Sequence, residues 1–134
     1  MFRLLPVLLL AAFVPLVAQA SSGPEVAASG LVFEELRAGH GERPGARDRV
    51  RVHYRGTFTD GREFDSSYGR GQPIDFALNQ VIACWTEGLQ RMQVGARARL
   101  ICPPALAYGS RGAGRVIPPD ATLMFEVELL GVLR

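Results

Sequence analysis

Lysine is missing altogether: the 15 basic side chains in the 134 residues are all arginines. Schiff-base chemistry on a lysine amine is thereby excluded. Excess charge of either sign is scarce as well. The arginines face 13 acids, so losing Arg3 with the leader described below leaves +1, no electrostatic footprint for nucleic acid. Histidine, the usual acid-base residue near neutral pH, occurs only as His40 and His53. His40 sits in a glycine-flanked loop and His53 on the arginine side of an alternating segment. Both read as solvated and without a partner for catalysis. Two histidines and two cysteines match no C-x-x-C or H-x-x-x-H spacing, so no metal ligand set is expected. "GSRGAG" lacks the G-x-G-x-x-G order of a phosphate loop, and Pro118-Pro119 prevents a helix from starting behind it.

What is present begins with "MFRLLPVLLLAAFVPLVAQA". A charged head, an apolar middle and Ala18-Gln19-Ala20 point to a secretory signal over 1–20, cleaved after Ala20. The competing reading is a membrane anchor, but Pro6 and Pro15 interrupt a run shorter than the ~20 residues a spanning helix needs. "SSGPEVAASG", 21–30, reads as a flexible lead, and one domain is expected over 31–134. In an exported chain the pair Cys84 and Cys102 leans toward a disulfide, with two buried thiols as the alternative.

Strand periodicity dominates the domain. "LVFEELR" predicts a strand over 31–37. "RVRVHYRG" alternates, with Val50, Val52 and Tyr54 on one face and Arg51, His53 and Arg55 on the other. Asp60-Gly61 signals a turn before "REFD". "IDFAL" points Ile74, Phe76 and Leu78 inward; "ARARLIC" does so with Ala98, Leu100 and Cys102; "TLMFEVELLGV" with Leu123, Phe125, Val127 and Leu129. Only from Cys84 to Met92 does the period change. Trp85, Gly88, Leu89 and Met92 fall at i, i+3, i+4 and i+7, and Glu87 pairs with Arg91 on the other side, which predicts one short amphipathic helix. A single helix can be buried only across the concave face of a sheet, so the class is α+β.

Tyr54, Phe64, Phe76, Trp85, Tyr108 and Phe125 are left either as a crowded core or as the lining of a pocket, and pattern alone does not choose between them. In "FDSS", Asp65 by itself reads as an Asx-type turn.

"HYRGTFTDGREFDSSYGRGQP", "VIACWTEGLQRMQVG" and "PPALAYGSRGAGRVIPPDATLMFEVELL" together closely resemble FKBP-type peptidyl-prolyl cis-trans isomerases, from about Gly30 to Leu133. The resemblance implies an antiparallel sheet curled around one short α-helix, and an enzyme that isomerises X-Pro bonds without a cofactor. It implies Trp85 as the floor of a pocket, with Tyr54, Phe76, Val81, Ile82 and Phe125 as its walls. Phe64, Asp65, Tyr108, Val116 and Ile117 would stand around the mouth. The Ile82 N–H and the Tyr108 hydroxyl would be the donors, with Asp65, Tyr108 and Phe125 as the catalytic set. Asp65 would orient the Tyr54 hydroxyl, and "AYGSRGAGRVIPP" would be a flap hinged at Gly109, Gly112 and Gly114. The implied partners are proline-containing, unfolded or partly folded exported proteins, with macrolides as candidate inhibitors; the expected state is a periplasmic monomer. Departures from the family pattern are Ile74 where an aromatic is frequent, Ala113 where some members carry histidine, and Cys84 where glycine is common.

Overall fold

A computed structural model describes residues 23–134; the expected leader over 1–20 lies outside them. In chain order the elements are β1 (Glu25–Val26), β2 (Val32–Arg37), β3 (Arg49–Phe58), β4 (Glu63–Ser66), α1 (Ser67–Arg70), β5 (Ile74–Ala77), α2 (Ala83–Leu89), β6 (Arg97–Cys102) and β7 (Leu123–Leu133). The strands form one antiparallel sheet in the order β1-β2-β6-β7-β3-β4, with β5 also on β3. Alternating apolar and charged side chains is what a sheet with one solvated face requires. Val50, Val52, Tyr54, Ala98, Leu100, Cys102, Leu123, Phe125, Val127 and Leu129 are buried on the inner face, as their periodicity predicts. Their alternate neighbours form ion pairs on the outer face, among them Arg97–Glu126 at 2.7 Å and Arg99–Glu34 at 2.9 Å.

The short helix α2 lies against that inner face and buries Cys84, Trp85, Gly88 and Leu89, with Met92 just beyond it. Glu87 and Arg91 pair at 3.2 Å on its far side. Cys84 is disulfide-bonded to Cys102, so the start of α2 is tied to the end of β6.

One feature of β3 makes room for a site. β7 pairs with it along its whole length, but its other edge is shared. β5 pairs with Arg49 to Val52 and β4 with Arg55 to Thr57. The chain passes from one half to the other through α1, a single turn that periodicity does not predict because it is too short to show a period.

Two further expectations are corrected. The lead over 21–30 is not flexible throughout: Glu25 and Val26 pair with Phe33 and Val32, and Ala27 and Leu31 close the turn between the strands. Backbone pairing holds these residues where small polar side chains suggest none. His53 is not simply solvated either. Its ring stacks on Tyr68 with centroids 4.5 Å apart, and its Nδ1 lies 2.8 Å from Ser67 Oγ.

Candidate functional site

The site is assembled from seven parts of the fold. Tyr54 comes from β3, Phe64 and Asp65 from β4, Phe76 from β5, and Trp85 from α2. Gln80, Val81 and Ile82 come from the turn before α2, Tyr108 from the loop after β6, and Phe125 from β7. Together they line a cavity of about 460 Å³.

Trp85 is its centre. Tyr54, Phe76 and Phe125 each meet the indole nearly at right angles, with centroids 5.1, 5.3 and 5.4 Å away. Edge-to-face contact puts the positive ring edge against the negative face, so such a cluster holds its shape without hydrogen bonds. Phe64 continues it by meeting Phe125 at 5.7 Å. Trp85 is 4% and Phe125 5% exposed, and the indole N–H has no hydrogen-bond partner among the described residues. The cavity floor is therefore made of aromatic rings, with the indole N–H as a polar group left unpaired. Gly56 makes the cluster possible: a Cβ there would lie 2.6 Å from the Phe64 ring and 3.0 Å from that of Phe125.

Each residue of "FDSS" has a separate task. Phe64 supplies a ring. Asp65 accepts a hydrogen bond from the Tyr54 hydroxyl and a second, at 2.7 Å, from Arg70. Ser66 caps α1 by accepting from the Gly69 N–H. Ser67, wholly buried, accepts from the Tyr54 N–H at 2.7 Å. Segment 64–67 is thereby bound to Tyr54 through both its side chain and its backbone. The Asx-turn reading survives only in part: Asp65 Oδ1 accepts from the adjacent Ser66 N–H, while the capping falls to Ser66.

Burial pushes the Asp65 carboxyl up, but hydrogen bonds from Tyr54 and Arg70 outweigh it and hold the group below the usual carboxylate range. Burial, with the Asp65 carboxylate beside it, pushes the Tyr54 hydroxyl up. The first stays ionised and the second protonated near neutral pH. With Arg70 alongside, the cluster carries no uncompensated charge.

Arg70 and Gln80 are absent from the expected set. Arg70 sits in "YGRG", where nothing local announces it; only the fold brings it to the carboxylate five residues earlier. Ile82 is the N-cap residue of α2, so its N–H is among the donors a helix leaves without an internal acceptor. Tyr108 lines the cavity and is 42% exposed.

The loop carrying Tyr108 differs from expectation. Val116 is 56% exposed and Ile117 buried in the core, and neither lines the cavity. The loop is braced rather than hinged. Gly112 N–H donates to Tyr108, Ala113 N–H to Ile117, and Asp120 N–H to Gly109. Gly112 has φ of 67°, and a Cβ there would come within 2.2 Å of the Ile117 carbonyl. Its freedom is spent on a tight turn, and the apolar Ile117 anchors the loop from below.

The chain matches the family described as FKBP-type peptidyl-prolyl cis-trans isomerase over residues 41–130. It is 49% identical over 110 residues to the FKBP-type peptidyl-prolyl cis-trans isomerase FkpA of Escherichia coli K12, covering 82% of this chain and 40% of that protein. FK506-binding protein 1A of Neurospora crassa is 46% identical over 106 residues, covering 77% of this chain and 88% of that one. A 1.6 Å crystal structure of a peptidyl-prolyl cis-trans isomerase from Pseudomonas syringae pv. tomato aligns with a TM-score of 0.79 at 43% identity. That alignment covers 86% of this chain and 84% of the other. The chain thus spans less than half the length of the E. coli relative.

Proposed function

The chain belongs to the FKBP-type peptidyl-prolyl cis-trans isomerase family, and on that premise we propose that it accelerates rotation about X-Pro bonds in exported proteins as they fold. The observation that carries the reading is the aromatic cavity centred on Trp85, with hydrogen-bonding groups at its mouth and no uncompensated charge within.

Rotation about the bond makes and breaks no covalent bond, so no nucleophile is needed. For an ordinary peptide bond the barrier of ~18–20 kcal/mol is lost amide resonance. In the twisted amide the carbonyl oxygen carries less negative charge than in the planar one. Taking the bond into an apolar cavity therefore costs the planar ground state more than the transition state. A prolyl ring seated over Trp85, between Tyr54, Phe76 and Phe125, gains differential stabilisation if the cavity fits the twisted form better. The Ile82 N–H and Tyr108 hydroxyl are the donors assigned to the substrate's carbonyls. Asp65 is a positioning residue that fixes the Tyr54 hydroxyl, with Arg70 holding Asp65 in turn. Lowering the barrier by ~5 kcal/mol gives several thousand-fold acceleration.

Export is supported by the leader pattern of the first 20 residues. The Cys84–Cys102 disulfide belongs to an oxidising compartment, and the periplasm is the one proposed. The substrates are proline-containing segments of unfolded or partly folded exported proteins. The test is cis-to-trans kinetics on a short X-Pro peptide, with and without a macrolide such as rapamycin. Acceleration that the macrolide inhibits is the expected result; tight macrolide binding without acceleration would mark a binding module instead.

A further inference from the structure

Charge in this protein is largely neutralised in pairs. Nine arginines, Arg37, Arg51, Arg55, Arg62, Arg70, Arg91, Arg97, Arg99 and Arg134, sit within 3.3 Å of a carboxylate. Among the described residues the five arginines without an ion pair fall into two groups. Arg43, Arg47 and Arg49 flank the start of β3, whereas Arg111 and Arg115 are exposed in the loop that carries Tyr108. That loop is held in shape. The Gly112-to-Tyr108 hydrogen bond makes 108–112 a single tight turn, and the Ala113–Ile117 bridge closes a second turn with Arg115 at its tip. Both guanidinium groups are thus carried by a braced support whose Tyr108 lines the cavity mouth. Asp120, at the root of the loop, donates its N–H to the Gly109 carbonyl, and its carboxylate pairs with neither arginine. The Asp65 carboxylate, which also lines the cavity, is already engaged by Arg70.

We infer that Arg111 and Arg115 are specificity-determining residues, which favour X-Pro bonds flanked by acidic side chains over those flanked by basic ones. The inference rests on the isomerase reading and adds the substrate class. A substrate seated against Tyr108 lies beside the loop that carries both arginines, and at about 0.01 M ionic strength, where the screening length is about 30 Å, they act on its flanking side chains with little screening. Exposed ion pairs are individually weak, so two arginines together give a preference of about three- to tenfold in kcat/KM rather than an absolute requirement. No new step is added to the reaction; the loop biases which bonds enter.

The test uses three peptides with the same Leu-Pro centre, flanked on both sides by two Glu, two Gln or two Lys. Their cis-to-trans kcat/KM is measured at low salt and at about 0.5 M salt, where the screening length falls to a few ångströms. The Glu peptide is expected to exceed the Lys peptide at least threefold at low salt. The ratio is expected to fall toward one at high salt and in the R111Q/R115Q double variant. That variant should turn over the Gln peptide like wild type, which shows that the pocket is intact. R43Q/R47Q, which lowers net charge equally but away from the mouth, should keep the preference. A Glu/Lys ratio near one in wild type at low salt, or an equal fall of the ratio in R43Q/R47Q, would overturn the inference. Failure to accelerate even the Gln peptide would instead sink the isomerase reading beneath it.

Discussion

Replacing Phe125 by Ala tests the wall of the cavity most sharply. The ring is nearly fully buried and meets Trp85, Phe64 and Tyr54 at 5.4, 5.7 and 6.5 Å. A Phe→Ala change in a closed core costs about 3–5 kcal/mol, and here the new void merges with an existing cavity, which places the cost near ~3 kcal/mol. With about 110 folded residues and ~2.1 cal/mol/K of unfolding entropy per residue, that corresponds to a Tm lower by roughly 13 °C. The catalytic loss has a separate cause. Water reaching the face of Trp85 raises the effective polarity of the site, and giving up ~2–3 kcal/mol of barrier lowering reduces kcat/KM roughly 30–150-fold. Phe125→Leu keeps the wall apolar and should lose about tenfold or less by the same arithmetic. Tyr108→Phe deletes one hydroxyl donor, worth about 1 kcal/mol or roughly fivefold. Peptide isomerisation at about 10–15 °C, where near-UV circular dichroism shows each variant folded, separates rate from stability. The reasoning is refuted if folded Phe125→Ala stays within about threefold of wild type, or if Tyr108→Phe is the more damaging change.

Opening the Cys84–Cys102 disulfide, which spans 18 residues of sequence, should cost ~3 kcal/mol of stability on the chain-entropy account and leave the activity of the folded protein within about twofold. Alkylation under denaturing, non-reducing conditions checks the bond itself; two free thiols would refute it. Asp65, Glu126 and Glu128 have carboxyls held below their ordinary values, so the stability their contacts contribute is present above the unfolded value of about 4 and is lost as pH falls below it. Urea midpoints should be level from pH 7 to about 5 and drop below pH 4, with a smaller drop in Asp65→Asn. Refolding of a protein limited by a cis-proline should be accelerated equally with and without EDTA; marked loss on chelation would contradict a cofactor-free mechanism.

The elements that bury one face were legible in the sequence because burial imposes a period. Val50-Val52-Tyr54 and Leu123-Phe125-Val127-Leu129 alternate, and Trp85, Gly88, Leu89 and Met92 follow the helical repeat, so their faces agree with the burial observed. What lay outside such patterns was not legible. β1 is two residues held by backbone pairing alone. Ser67 is polar and yet wholly buried, because its hydroxyl satisfies the backbone of Tyr54, 13 residues away. Arg70 reaches Asp65 only through the turn of α1. In the 105–119 loop the run of glycines suggests motion, whereas the positive φ angles of Gly109, Gly112 and Gly114 form successive turns over the buried Ile117. The pocket residues themselves emerged from family resemblance; alternation places Tyr54 and Phe125 inward without distinguishing a core from a cavity.

The central claim is that the bond rotates in an apolar cavity with no proton in flight. Asp65 is held ionised by Tyr54 and Arg70, and the Tyr54 hydroxyl is pushed up by burial, so neither changes state between pH 5.5 and 8.5. The most direct measurement is kcat/KM on one X-Pro peptide across that range, for the wild type and for Asp65→Asn. The account predicts a profile flat to within about threefold for both, with the variant lowered uniformly because Tyr54 is less well positioned. A bell or steep limb in the wild type that disappears in Asp65→Asn would contradict it and make Asp65 a general base.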